Sequence, residues 1–260
     1  MDNFIIFGKP YPVYAVMGII GVIMGFIYIF VTCRVKRKSF DDSLYIYVWA
    51  VVSAMLGAKI LYLIVESGNI ISLIKQYPGE IKTIIFSYLA GGFVFYGGLI
   101  GAILGAIMAI KYFGLSVKAE LNFLAPVIPL VHGFGRVGCH IVGCCYGKPY
   151  SGAGAILYHS SAYAPCNVGL FPVQLTEAIF DFVIFGILLA LMLSDRAVDY
   201  LICIYLVSYA VMRFALEFFR GDSYRGGIGV LSTSQVISLL ILFAIMSLYI
   251  YKKKVIDKRG

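Results

Sequence analysis

Residues 10–33 read PYPVYAVMGIIGVIMGFIYIFVTC, with no charged side chain between Lys9 and Arg34. An α-helix rises 1.5 Å per residue, so about 20 apolar residues suffice to cross the ~30 Å hydrocarbon layer of a bilayer. This run is long enough. So are the uncharged stretches between Lys82 and Lys111 and between Arg225 and Lys252. Four further apolar stretches carry ionisable groups: Leu44–Val65 with Lys59, Leu121–Cys145 with His132 and Arg136, Val173–Ser194 with Glu177 and Asp181, and Tyr200–Phe219 with Arg213 and Glu217.

Composition agrees. Of 260 residues 61% are apolar and 13% charged, whereas a soluble domain is about half apolar and a quarter charged. The expected fold is therefore all-α: a polytopic membrane protein of about seven transmembrane helices. Residues 1–260 are read as a single integral membrane domain, and residues 147–172 as a small extracytoplasmic head between the fourth and fifth spans. The formal charge of +8 does not indicate nucleic acid, because the basic residues fall at the ends of apolar runs and form no stripe with interleaved aromatics. Placed on one side, Arg34, Lys36, Arg37, Lys38, Lys111, Lys118, Arg196 and the tail KKKVIDKRG put the N-terminus outside and the C-terminus in the cytoplasm. The start MDNFIIFGKPYPVY lacks the basic region and cleavage site of a signal peptide, so the first run is expected to stay as a span. No internal repeat of the kind common in transporters is visible.

Charges inside such spans need partners. An ionised side chain at bilayer depth costs ~2.5–3.5 kcal/mol on insertion scales and is retained only facing a partner, water or a ligand. Tyr209, Arg213, Glu217 and Arg220 are spaced to share one helical face, as are Gln174, Glu177 and Asp181. The stretch HGFGRVGCHIVGCCYGKPY, residues 132–150, sets Arg136 among Gly133, Gly135, Gly138, Gly143 and Gly147. Glycines allow close backbone approach, and arginine offers a planar fork matched to phosphate oxygens. Together they point to an anion site, with the phosphate head of a lipid as the expected ligand. The competing structural reading is a tight packing surface in which Arg136 pairs with Glu177.

Cys139, His140, Cys144 and Cys145 offer thiolate and imidazole donors, but their spacing is not that of a zinc finger, and only His159 and Cys166 stand out as further donors. No metal and no cofactor is expected from the sequence. A disulfide to Cys166 is a further alternative on an oxidising side of the membrane; Cys33 and Cys203 read as simply buried.

The ordered motifs YPVYAVMGIIG, GAKILYLI, GGFVFYGGLIGAILG, HGFGRVGCHIVGCCYGKPY, FPVQLTEA, YAVMRFALEFFRGD and LSTSQVISL resemble the prolipoprotein diacylglyceryl transferase family over most of the chain, as a divergent branch with a GCCYG signature. The resemblance implies an enzyme of the bacterial cytoplasmic membrane, with phosphatidylglycerol, an acceptor peptide or precursor lipoprotein and the bilayer as partners. Such an enzyme moves a diacylglyceryl group from phosphatidylglycerol to the lipobox cysteine thiol and releases glycerol phosphate. Carried over, Arg136 and Arg213 match essential arginines, Glu177 and Glu217 match glutamates beside them, Tyr209 matches a tyrosine before the second arginine, and Gly147 matches a signature glycine. Gly138, Gln174 and Arg220 complete the expected substrate-binding set.

Three positions depart from the family pattern. Tyr96 stands where histidine is usual, Cys139 where asparagine is, and Cys144 where glutamate is. The phosphate-holding groups are kept while several proposed to handle the acceptor are changed. Candidates for a base are then Tyr96, His132, His140 or a thiolate of the cysteine turn, and Cys139 or Cys144 is a candidate covalent carrier. Two other functions stay open at this stage: a related phospholipid-dependent transferase with another acceptor, and a non-enzymatic membrane transporter.

Overall fold

The computed structural model describes residues 3–6, 9–222, 227–229 and 231–257. The chain divides into two compact units, Met1–Tyr28 with Leu121–Gly260, and Ile29–Glu120. Strands β1 (Asn3–Ile6) and β2 (Lys9–Pro12) form an antiparallel hairpin ahead of α1 (Val13–Lys36), which runs from the first unit into the second. Five helical segments among the described residues are long and apolar enough to cross a membrane, α1 among them, and the protein is an all-α polytopic membrane protein.

The second unit contains α2 (Phe40–Gln76), α3 (Ile81–Ala90) and α4 (Phe95–Tyr112). Helix α2 continues to Gln76, well past the expected end at Val65; its 37 residues span about 55 Å, more than the hydrocarbon layer. It packs on α4 through small residues: a Cβ on Gly97 would stand 2.3 Å from Gly57 O, and one on Gly101 2.1 Å from Ser53 O. Such close backbone approach is how membrane helices gain van der Waals contact without a hydrophobic driving force. The uncharged stretch from Lys82 to Lys111, expected as one span, is broken between Ala90 and Phe95. Gly92 takes φ +51° there, and the ammonium of Lys59 sits on the Gly91 and Gly92 carbonyls, so the interruption is satisfied from within the unit.

The first unit holds α5 from Leu121 onward (the helix spans Val117–Leu124), α6 (Val127–Val142), α7 (Val173–Leu193), α8 (Leu201–Leu216) and α9 (Thr233–Asp257). The span expected over Leu121–Cys145 is two helices, because Pro126 lacks the N–H that would continue the first and caps the second. Asn122 joins α5 to the start of α8: its side chain accepts from Ile202 N at 3.0 Å and donates to Asp199 O at 3.2 Å. Helices α6 and α7, α7 and α8, and α8 and α9 are packed neighbours, with Val173, Leu188, Leu201 and Ala210 among the fully enclosed side chains.

Between α6 and α7 the chain forms a small head. Strands β3 (Ile156–Leu157) and β4 (Gly169–Leu170) pair antiparallel. The head is fastened to the end of α6 by Tyr158, whose hydroxyl donates to His140 O at 2.8 Å, and by Ser161, whose hydroxyl donates to Val142 O at 3.1 Å. The Ser161 bond occupies a carbonyl that the last turn of the helix leaves open, and the Tyr158 bond adds a donor to His140 O, which also accepts from Gly143 N at 3.2 Å. Strands β5 (Gly227–Ile228) and β6 (Leu231–Ser232) form a short hairpin before α9.

Candidate functional site

Every ionisable residue singled out in the spans of the first unit takes part in one buried network. Glu177 and Asp181, one turn apart on α7, are fully buried. Glu177 Oε2 lies 3.1 Å from Arg136 Nε on α6 and 3.9 Å from Arg213 Nη1 on α8. The other oxygen, Oε1, accepts from the Tyr209 hydroxyl at 3.2 Å. Three helices thus meet at one carboxylate. Asp181 Oδ2 is 2.9 Å from His132 Nδ1, and the His132 ring meets Tyr209 edge-on at 5.3 Å, which ties this second pair to the first.

Arg213 continues the network. Its Nη2 lies 2.8 Å from Glu217 Oε2 and donates to Ser234 Oγ on α9 at 3.0 Å. Its Nη1 is buried and makes no hydrogen bond among the described residues. Glu217 belongs to a 3-10 turn, Glu217–Phe219, and Arg220 leaves it in extended conformation. The four residues expected on one helical face therefore do not all share it: the helix stops at Leu216 and Arg220 turns to Asp222, donating from Nε at 2.9 Å and Nη2 at 2.7 Å. A bidentate carboxylate outweighs one more turn of helix for a guanidinium away from water. Its Nε remains 4.0 Å from Glu217 Oε2.

Charge balance explains why the cluster is tolerated in an apolar bundle. Arg136, Arg213 and Arg220 face Glu177, Glu217 and Asp222, so the group as a whole is close to neutral and each ion has a partner. Neutrality does not exhaust the donors. A guanidinium carries five N–H groups in a planar fork; among the described residues Arg136 has one carboxylate contact and Arg213 hydrogen-bonds only through Nη2 to Glu217 and Ser234, which leaves N–H groups on both for an anionic oxygen.

The glycines of the motif have structural reasons. Gly143 ends α6 at φ +82°. Gly147 lies beside Arg220 in an antiparallel bridge, and a Cβ there would stand 2.2 Å from Phe171 O. Gly138 faces α1, where a Cβ would meet Met17 Cβ at 3.1 Å. Gln174 is buried and donates to Cys144 O at 2.9 Å, holding the turn after α6.

The structure brings Cys139, Cys144 and Cys145 together, their sulfurs within 4.8 Å of one another, and none of the three is in a disulfide. His159 and Cys166 do not join this group: His159 Nδ1 faces Asn167 Oδ1 at 3.2 Å and exposed Cys166 faces Ala164 O. His140 Nδ1 lies 3.2 Å from the Tyr158 hydroxyl. The side chain of Tyr96 lies outside the described residues. Sequence reasoning did not single out Ser234, Asp222 or Tyr158, although the first two sit inside the quoted LSTSQVISL and RGD motifs.

Fold and site define a polytopic membrane protein whose crossing helices bury a balanced arginine and carboxylate cluster with donors left for an anion. The family model described as prolipoprotein diacylglyceryl transferase matches residues 4–251. The chain belongs to this family, which is a family of enzymes. It is 33% identical over 239 residues to the phosphatidylglycerol–prolipoprotein diacylglyceryl transferase of Clostridium tetani (strain Massachusetts / E88), covering 92% of each chain. It is 34% identical over 245 residues to the second such transferase of Clostridium perfringens (strain 13 / Type A), covering 94% of this chain and 92% of that one. For the transferase of Finegoldia magna (strain ATCC 29328 / DSM 20472 / WAL 2508) the identity is 31% over 255 residues, with 97% and 96% covered.

Proposed function

We propose that this protein transfers the diacylglyceryl group of phosphatidylglycerol to the thiol of a lipobox cysteine in precursor lipoproteins, releasing glycerol phosphate. Family membership and the names of relatives matched over nine-tenths of their length support the reaction. The observation that carries the assignment of residues is the meeting of Arg136 and Arg213, from separate helices, at Glu177.

The reaction is a nucleophilic displacement at the glycerol carbon bearing the phosphate ester. Negative charge accumulates on the departing phosphate, and preorganised donors aimed at that charge lower the barrier, typically by several kcal/mol in a water-poor site. Arg136 and Arg213 supply those donors. Glu177 and Glu217 fix the two guanidinium planes before substrate arrives, so little reorganisation is left for the transition state. Tyr209 holds Glu177 through Oε1; Arg220, Gln174 and Gly147 set the Cys144–Gly147 turn on one side of the phosphate position, and Gly138 lets α1 approach α6 closely. The head, residues 147–172, is assigned to the outer face, with the N-terminus outside and the C-terminus in the cytoplasm, because the basic residues Arg34, Lys36, Arg37, Lys38, Lys111, Lys118, Arg196 and the tail KKKVIDKRG then share the cytoplasmic side.

Incubation of the purified protein with phosphatidylglycerol and a lipobox peptide tests this reading. Glycerol phosphate release and a matching diacylglyceryl mass increase on the peptide are expected together. Release without peptide modification moves the activity to another acceptor, and absence of release from any phospholipid overturns the assignment.

A further inference from the structure

The transfer reaction alkylates a thiol, and a thiol reacts as its thiolate. Something near the phosphate site must remove the proton or hold the sulfur in its ionised form. Cys139, Cys144 and Cys145 form the one tight group of three potential metal-binding side chains among the described residues, with sulfurs no more than 4.8 Å apart. Zinc–sulfur bonds of ~2.3 Å in tetrahedral arrangement set sulfurs about 3.8 Å apart, so the group reaches zinc geometry by closing at most about 1 Å.

The turn that assembles these thiols is built, not incidental. Gly143 at φ +82° ends α6, and Cys145, a residue with a side chain, takes φ +59°; that region is uncommon for residues other than glycine. Its backbone is fixed from three directions. Gln174 of α7 donates to Cys144 O, the Tyr158 and Ser161 hydroxyls of the head donate to His140 O and Val142 O, and Gly221 N donates to Tyr146 O. Cys139 is 6% exposed. Arg136 precedes Cys139 by one turn of α6, and Arg220 is bridged to Gly147, two residues after Cys145. Three thiolates and one divalent cation carry a net single negative charge, which those guanidiniums complement.

We propose that Cys139, Cys144 and Cys145 bind one zinc ion, leaving a fourth position open for the acceptor thiol. This rests on the transferase reading above. Three protein ligands with one exchangeable position is the pattern of catalytic zinc, and a thiol that coordinates zinc loses its proton. That proton goes to solvent. The bound sulfur's electron pair forms the bond to the glycerol carbon, the carbon–oxygen bond to phosphate breaks, and its electron pair leaves with glycerol phosphate at Arg136 and Arg213. The neutral thioether so formed is a weak ligand and departs. In this scheme the three cysteines act together as a metal site, and none of them carries the lipid.

The test uses the full-length protein in detergent, reduced, freed of metal with a chelator, and titrated with zinc or with cobalt(II) as the coloured stand-in. One metal per chain and sulfur-to-cobalt charge-transfer bands are expected. Binding is expected to weaken about tenfold or more in Cys139→Ser, Cys144→Ser and Cys145→Ser and to stay unchanged in Cys166→Ser and Cys33→Ser. Adding a lipobox peptide is expected to shift the cobalt bands, and the same peptide with serine for cysteine is expected not to. No metal uptake by the wild-type protein, uptake that persists in the triple serine variant, or an intact mass lower by two hydrogens from a disulfide among the three overturns the site. Peptide alkylation at full rate after chelation, with no metal bound, overturns the zinc role and leaves the transferase reading standing. Metal bound at one per chain with no phospholipid turnover retains the site and overturns that reading instead.

Discussion

Arg136 of α6 and Arg213 of α8 face the same atom, Oε2 of Glu177, at 3.1 Å and 3.9 Å. Two cations from separate helices are thereby held next to each other in a bundle of apolar spans. A shared counterion is what makes that possible: without it their mutual repulsion would act in a medium that screens charge poorly.

If the two guanidiniums grip one phosphate, their shape matters as well as their charge. Lysine keeps the charge and lacks the planar fork. Arg136→Lys and Arg213→Lys are each expected to lower the rate of glycerol phosphate release about a hundredfold or more, with the protein still extracted and folded. Release within a few-fold of wild type in both variants would remove the phosphate role.

Glu177→Gln leaves two guanidiniums against a neutral amide. Breaking a buried ion pair by removing one partner costs about 3 kcal/mol or more, so a clear fall in the thermal unfolding temperature in detergent is expected. The double variant Glu177→Gln with Arg136→Gln is expected to recover part of that loss, since one uncompensated charge goes with it. Additive losses would mean the two side chains are not coupled.

Gly147 is expected to tolerate no side chain. The added Cβ of Gly147→Ala would stand 2.2 Å from Phe171 O and 2.9 Å from Val173 Cγ2, and the bridge to Arg220 must then shift. A destabilisation of about 1–3 kcal/mol is expected, read as a lower unfolding temperature and faster proteolysis within residues 147–172. Wild-type behaviour in both measurements would contradict the close approach described.

Tyr158 gives the head a pH dependence. Burial, with a smaller contribution from the nearby Cys144, pushes its hydroxyl up to about 12 from the ordinary 10. A raised value means the docked state favours the protonated phenol. The resulting stabilisation is complete below pH 10 and is lost as pH rises towards 12. Amide exchange in residues 147–172 is expected to accelerate over that alkaline window in the wild type, and Tyr158→Phe is expected to remove this step while exchanging faster at neutral pH.

Much of this was legible in the sequence because a membrane leaves few options. Uncharged runs such as residues 10–33 have one inexpensive conformation in lipid, and Arg136, Glu177 and Arg213 had to find partners there. The interruptions were harder to see. Charge counting is blind to a break flanked on both sides by apolar residues, as at Gly91–Val94, although Gly91-Gly92 and Pro126 were the available signals. The continuation of α2 to Gln76 escaped because a helix need not stop where the hydrocarbon does. Asp222 drew Arg220 away from α8, and Ser234 and Tyr158 reach the site from distant parts of the chain. Spacing along one helix carries no information about such contacts.

The most direct measurement is an experimental structure of the protein with phosphatidylglycerol bound. The account predicts the lipid phosphate within hydrogen-bonding reach of both Arg136 and Arg213, with Glu177 still between them. A head group that rests elsewhere, with both guanidiniums engaged only by carboxylates, would contradict it.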